Sequence, residues 1–493
     1  MKNERILKNN IDMKYSFFLK GWLILGIAFL TISVQAQKVW TLEACIQYAN
    51  EHNLVIRQVA QANRIDNINL EQSKAERLPS LSASASAGRS WGRGFNSVNV
   101  ELVEDGYNAT SFGANMSLPL FNGLSTHNTI KQNRLLAESG QLDVRATQED
   151  YSILIAQSYL QVLQLKEQIR NTENQMASSA EELENNRKKY EKGLVAEYSV
   201  LQLESQLAQE EWSKEQLVGQ LQVAKINLMQ LMDLEVTDDF EVEVPEALMG
   251  NIVLQSPDDI DQIYQTSLGL RPEVKSAELQ TESSVLGVRV AQGSLLPSLN
   301  LNASLNSNYS SASKLVDYTT TTQETTIGYL ASDPTQSVMA QEVVNVPVVS
   351  NYNFLDQLED NLSPYVGVTL SVPIFSNKRN SSQVEIAKVN SEIARLQEKD
   401  TKNQLRKDIE QAYVDFGNAI CQYRASEKQL KLSERLFENA RYSHESGLIS
   451  TTDFTIEKNN YLNAENSMAL AKYQYLFSRM ILDFYNGKPL GFN

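Results

Sequence analysis

The chain has 493 residues but only 11 prolines and 21 glycines, too few for several compact domains joined by linkers, so long helices are the first expectation. Its 44 Lys and Arg stand against 60 Asp and Glu, a formal net charge of −16, which argues against nucleic acid as a partner. Two cysteines, Cys45 and Cys421, are too few for a disulfide framework; either they pair or each packs as a small apolar residue.

Residues 1–36 carry Lys2, Arg5, Lys8, Lys14 and Lys20 ahead of or at the start of the apolar run GWLILGIAFLTISV, which closes on Val34-Gln35-Ala36. This is the pattern of a secretory signal peptide cut before Gln37. The apolar run is shorter than the ~20 residues of a membrane-spanning helix, which argues against a permanent anchor. Removing residues 1–36, with five basic and two acidic side chains, leaves 39 against 58, a net charge of −19. No later stretch is apolar enough for a membrane helix, so any later crossing of a membrane is expected to be β.

The rest reads as two copies of one unit. Repeat 1 takes residues 37–255: a helix over 41–78, strands near 80–90 and 110–120, then helices near 125–191 and 195–232. Repeat 2 takes residues 256–493: a helix over 258–295, strands near 298–309 and 364–374 around a long loop near 310–363, then helices near 378–445 and 450–485. The copies align by offset. SLPLFNGLS matches SVPIFSNKR, with Pro119 and Phe121 recurring as Pro373 and Phe375, 254 positions on; LPSLSAS, with Pro79, matches LPSLNLN, with Pro297, 218 positions on. The 36-residue difference falls in a Ser/Thr-rich interval that reads as an enlarged loop.

The strands are read from alternation. Val366, Val368, Leu370 and Val372 alternate with Gly367, Thr369 and Ser371; Phe112, Ala114, Met116 and Leu118 with Ser111, Gly113, Asn115 and Ser117; Leu299, Leu301, Ala303 and Leu305 with Asn300, Asn302 and Ser304. An apolar face backed by a small or polar one suits a sheet with lipid on one side and water on the other, and equally a half-buried soluble sheet. Four strands cannot close around a lumen, since the smallest barrels need about eight, so several chains are expected to share one barrel. Each of the four prolines marks a joint where strand pattern meets helix pattern, and lacking the ladder N–H it is expected to end sheet pairing there. Asn122 or Ser125 is placed to cap the helix that follows the second strand.

The helices carry a seven-residue repeat. Ile155, Val162, Ile169, Met176, Leu183 and Tyr190 keep one frame, and Ile409, Phe416, Tyr423, Leu430 and Phe437 keep it in the second copy. Past the turns, Val200, Leu207, Leu221 and Leu228 continue with Lys214 as a break, matched by Phe454, Tyr461, Met468, Tyr475 and Leu482. A strict heptad imposes a left-handed supercoil, and Gly193 and Gly447 mark the turns of two antiparallel hairpins. The fold class is thus α+β and mostly α, two repeats with four strands per chain, so that three chains would bring twelve strands together. The helical layer, about 100 Å tall at ~1.5 Å per residue, is expected to break at mid-height, where residues 232–256 and 486–493 gather.

With its two repeats, its joints SLPLF and SVPIF and its turns KGLVAEYSV and SGLISTTDF, the mature chain resembles the outer membrane efflux protein family, the TolC-like trimeric channels. The resemblance implies a homotrimeric exit duct in the Gram-negative outer membrane, embedded in outer-membrane lipid: a trimer-shared 12-stranded β-barrel, four strands per chain, with a long left-handed α-helical barrel extending into the periplasm. It would serve tripartite efflux or type I secretion as a passive conduit, fed by an inner-membrane pump through a periplasmic adaptor. It also implies that Gly193, Leu194, Val195, Gly447 and Leu448 are adaptor-docking tips. Asp453, with Glu457, would then line a pore constriction, though the first copy has Ser199 where the second has Asp453. The competing expectation is a non-conducting periplasmic coiled-coil structural protein. Nothing in the sequence suggests an enzyme, a cofactor or a metal: His52, His127 and His444 lie far apart, and no catalytic or phosphate-binding motif occurs.

Overall fold

The computed structural model describes residues 39–92, 94–96, 101–103, 106–237, 239–245, 252 and 254–491; the segment read as a signal peptide, 1–36, lies outside them. The first half runs β1 (Val39–Trp40), α1 (Leu42–His52), α2 (Leu54–Ala75), β2 (Ser80–Ser90), β3 (Gly94–Asn96), β4 (Glu101–Val103), β5 (Tyr107–Asn122), α3 (Ser125–Glu191), α4 (Glu197–Met232) and β6 (Glu241–Val242). The second runs α5 (Ile260–Leu270), α6 (Pro272–Gly293), β7 (Ser298–Ser310), β8 (Lys314–Leu330), β9 (Asp333–Asn351), α7 (Phe354–Asp360), β10 (Ser363–Ser371), α8 (Arg379–Glu445) and α9 (Thr451–Tyr485). The chain divides into two units, one of residues up to 59, 144–271 and 403 onward, the other of 60–143 and 272–402.

In the first unit heptad positions of paired helices pack against one another. Leu183, Val200 and Leu203 bury against one another with Leu207 across the α3–α4 hairpin. The α8–α9 hairpin uses rings instead: Phe437 stacks on Phe454 (5.7 Å) and Tyr461 (5.3 Å), and Tyr475 lies 5.6 Å from Phe416. Lys214, the break in the heptad, reaches out to Glu173 at 2.9 Å.

The core of this unit gathers around Tyr159, fully buried with Trp40, Leu42, Cys45, Leu163, Leu228 and Phe240. Its hydroxyl donates to the Glu243 carbonyl (2.6 Å) and lies 3.1 Å from that of Trp40. It thereby ties α3 to the parallel pair β1–β6. Glu241 of β6 accepts from Lys166 (2.6 Å) and Lys225 (2.5 Å). Burial pushes the Glu241 carboxyl up, but the two lysine hydrogen bonds outweigh it and hold the group below the ordinary 4.5. A lowered carboxyl stabilises the fold above its unfolded value and loses that contribution as pH falls through the folded one. Glu241→Gln is therefore expected to shrink the drop in denaturation midpoint between pH 7 and pH 4, read by circular dichroism. Cys45 and Cys421 form no disulfide; the first packs in the core and the second is exposed.

Two of the expected helices prove to be four. The segment 41–78 breaks at Asn53 and 258–295 breaks at Arg271, with ψ of 129° and 125°. These residues are equivalent under the 218-residue offset, so the break belongs to the repeat. Asn53 Oδ1 accepts from the Val55 and Ile56 N–H groups and caps the new helix. Arg271 precedes Pro272, and a proline disfavours the helical conformation in the residue before it while suiting the first position of the next helix. Each breaking side chain also binds a carbonyl at the end of a returning helix: Asn53 Nδ2 donates to Leu231 at 2.9 Å, and Arg271 to Phe484.

The second unit holds an antiparallel sheet in the order β10–β7–β5–β2, in which β10 and β2 are edges that pair with no further strand among the described residues. Three of the four prolines lie just outside strands: Pro79 before β2, Pro297 before β7 and Pro373 after β10. Pro119 does not end its ladder, correcting the expectation above. It pairs with Asn300, the register shifts, and pairing resumes at Phe121↔Leu299 and Asn122↔Ser298. A bulge absorbs the missing N–H and lets β5 run on. Asn122 then receives the Thr126 N–H at 3.3 Å and donates to the Thr126 hydroxyl at 2.6 Å as α3 begins. The enlarged loop near 310–363 is also corrected: it folds as the long hairpin β8–β9 followed by α7, because its Thr, Val and Tyr residues favour extended backbone.

Candidate channel wall and docking tips

The sheet register brings the alternations of all four strands onto the same two faces. Leu81 pairs with Met116, Met116 with Ala303 and Ala303 with Val366, and the neighbouring row is Leu118, Leu301 and Val368. On the opposite face Ser82, Asn115, Ser304 and Tyr365 form one row, and Ser80, Ser117, Asn302 and Gly367 another. Leu81 is 78% exposed, Val366 74% and Val368 59%, so the apolar face is not a core within this chain. An exposed apolar face backed by an uncharged polar one is the pattern of a sheet that meets lipid on one side and water on the other. At the joints Phe121 and Phe375 are exposed together with Leu120 and Ile374.

The two hairpin turns are built alike. α3 ends at Glu191 and Gly193 takes φ +72°; its N–H donates to Tyr190 and that of Leu194 to Lys189. In the second copy Gly447 also has φ +72°, with donations from Gly447 to His444 and from Leu448 to Ser443. This is the Schellman ending, whose left-handed position favours glycine. Leu194 and Leu448 project as exposed side chains, with Val195 following half-buried. Ser450 starts α9: its Oγ accepts the Asp453 N–H (3.1 Å) and donates to the Asp453 carboxylate (2.7 Å). Asp453 is exposed and thus also serves as a cap partner, while Glu457 lies one turn on, 3.5 Å from Asn460 Nδ2. His444 stacks on Phe454 at 4.9 Å and places Nε2 3.3 Å from the Thr451 hydroxyl.

The sequence profile of the outer membrane efflux protein family matches residues 45–233 and 263–488, most of both repeats. The chain belongs to the outer membrane efflux protein family. Its place is the Gram-negative outer membrane with an extension into the periplasm, and its work is efflux. The outer membrane efflux protein BepC of Brucella suis biovar 1 is 19% identical over 478 residues, 94% of this chain and 91% of that one. The fold is that of the CmeC outer membrane channel of Campylobacter jejuni (TM-score 0.69, 19% identity, covering 90% of this chain and 86% of that one). It is also that of the outer membrane protein VceC of Vibrio cholerae (TM-score 0.68, 16% identity, 92% and 97%).

Inside the helical part of this efflux protein lies a polar seam that heptad reasoning missed. Lys458 of α9, almost wholly buried, donates to Ser179 of α3 at 3.1 Å and sits 3.5 Å from Glu182. Ser179 donates on to Glu210 of α4 (2.9 Å), whose same oxygen also accepts from Gln175 (2.8 Å) and Gln206 (3.0 Å). Glu182 Oε1, Glu210 Oε2 and Gln206 Oε1 are buried without a hydrogen-bond partner among the described residues. One buried cation thus answers two carboxylates on two other helices. The described residues contain no cluster of three or more His, Cys, Asp or Glu fit to hold a metal, and no helix long and apolar enough to cross a membrane.

Proposed function

We propose that three copies of the chain join β10 of each to β2 of the next, closing twelve strands into one barrel, and that the helical repeats continue it as a periplasmic tunnel. The observation that carries this is the row Leu81–Met116–Ala303–Val366 on a sheet whose both edges are unpaired. The order β10–β7–β5–β2 alternates in direction, so a β10–β2 joint between copies keeps the ladder antiparallel. The duct is passive: a water-filled conduit lined by Ser, Asn and Thr needs no tight substrate site, and an inner-membrane pump supplies the drive through an adaptor. The test is conductance of purified protein in planar bilayers together with its native mass in detergent. A trimer giving channel steps, larger after Asp453→Ala, is expected. A trimer without steps in either form favours the non-conducting coiled-coil alternative.

The adaptor is received at the tips, where the Gly193 and Gly447 turns present Leu194, Val195 and Leu448. Asp453, supported by Glu457, contributes to an anionic ring at the constriction, one copy from each chain. Replacing Leu194 and Leu448 together by Asp is expected to weaken adaptor capture about tenfold or more in a pull-down, with trimer yield unchanged, because two exposed apolar contacts are lost and no buried one is. Full capture by this variant would remove the tips from the docking assignment.

A further inference from the structure

The hairpin β8–β9 has no role in the duct described so far. Its ladder runs from Lys314↔Asn351 to Leu330↔Asp333, with 17 and 19 residues per strand. That is a ribbon about 55 Å long at ~3.3 Å per residue. The register sorts its side chains onto two faces, and both are apolar and open. One presents Val316 beside Val349, Tyr318, and Val343; the other presents Leu315, Val346 and Val348. Tyr318 is 66% exposed, Val343 67% and Val348 47%. A lone two-stranded ribbon of this kind is marginal in water, and exposed apolar surface on this scale marks an interaction site.

The occupant follows from the two faces. A membrane surface or a flat partner covers one face and leaves the other wet. Acidic side chains stand on both, Glu324 on the first and Asp317 and Glu342 on the second, which disfavours an anionic lipid surface. Edge-to-edge pairing of ribbons is disfavoured as well. Pro347 lies within the paired strand β9, and a proline is accommodated there with its nitrogen turned away from its partner, which interrupts any further ladder on that side. A ring of three copies supplies what is needed, since each ribbon then has two neighbours, one per face. The ribbon also returns through α7 into β10, an open edge of the sheet where the next copy joins.

We infer that the three β8–β9 ribbons of a trimer pack face to face, the Val316–Tyr318–Val343 face of one against the Leu315–Val346–Val348 face of the next, as a plug or collar beyond the outer end of the barrel. This rests on the trimeric reading above. The test uses the full chain carrying Cys421→Ser. Thr319→Cys and Val343→Cys stand on opposite faces of one ribbon and cannot join within a chain. Combined and treated with a short bis-maleimide, they are expected to give covalent dimer and trimer bands on a denaturing gel, whereas each alone gives monomer because like faces do not meet. Deleting residues 314–351 is expected to leave the protein trimeric, its native mass lower only by the deleted residues, since the sheet edges carry closure. A double variant that is trimeric by native mass yet gives only monomer bands overturns the ribbon packing and spares the trimer. Covalent bands from either single variant, or bands to a different protein, overturn the face-to-face arrangement. A monomeric native mass of the unmodified protein overturns the trimeric reading itself.

Discussion

Lys458→Ala lowers the stability of the helical part by about 3–5 kcal/mol, the cost of leaving buried carboxylates without their cation. Lys458 is the ammonium that touches Ser179 and Glu182, and the Ser179 hydroxyl donates a hydrogen bond to Glu210. Removing it strands two carboxylates in a seam where three acceptor oxygens already lack a protein donor. The measurement is the denaturant midpoint of helical circular dichroism at pH 7. The sharper comparison is the triple change Lys458→Met, Glu182→Gln, Glu210→Gln. Neutralising the whole set removes the uncompensated charge and replaces the two carboxylates by amides that donate as well as accept, so most of the lost stability returns. If Lys458→Ala unfolds at the same denaturant concentration as the parent, the seam is hydrated and the lysine holds nothing.

The second large effect lies in the sheet. Val368 and Leu301 are cross-strand partners in the middle of the apolar face, and Thr369 and Asn300 are their neighbours on the polar one. Val368→Arg is expected to cost about 2–4 kcal/mol near the bilayer midplane, and Leu301→Arg the same. Thr369→Arg and Asn300→Arg, one residue along, fall on the opposite, polar face and are expected to cost far less. Refolding into lipid vesicles, followed by urea titration, reads the difference. Equal losses at Val368 and Thr369 would mean that the two faces meet similar surroundings, which a lipid-embedded wall does not allow.

Much of this architecture is legible in the sequence because the physics is periodic. A two-residue alternation over Val366–Val372 or Phe112–Leu118 can serve few structures, and the register merely aligns alternations already present in each strand. The turns at Gly193 and Gly447 are legible for another reason: a left-handed position favours glycine, and the same φ recurs at both. What escapes is aperiodic. The break at Arg271 was signalled by Pro272, whereas Asn53 gives no local sign and is found only by carrying the break back 218 positions. Glu210 sits three residues after Leu207, in register with Leu203 and Leu217, where a heptad expects an apolar side chain; its partners lie on α3 and α9, out of reach of any local pattern. The ribbon β8–β9 was hidden by composition, since runs such as Thr319–Thr322 look like a loop to a reading based on polarity, yet their β-branched carbons favour extended backbone. Pro119 misled in the opposite sense, because the bulge that excuses it depends on Asn300 across the ladder.

The unlike seams of the two hairpins have an optical consequence. Leu183, Val200, Leu203 and Leu207 hold the first together without a chromophore, whereas Phe437, Phe454, Tyr461, Phe416, Tyr423 and Tyr475 line the second with rings at fixed angles. The near-ultraviolet dichroism that disappears on replacing Phe437 and Tyr461 by Leu should therefore report on movements of α8 against α9, set against the constant contribution of Trp40 and Tyr159 in the core.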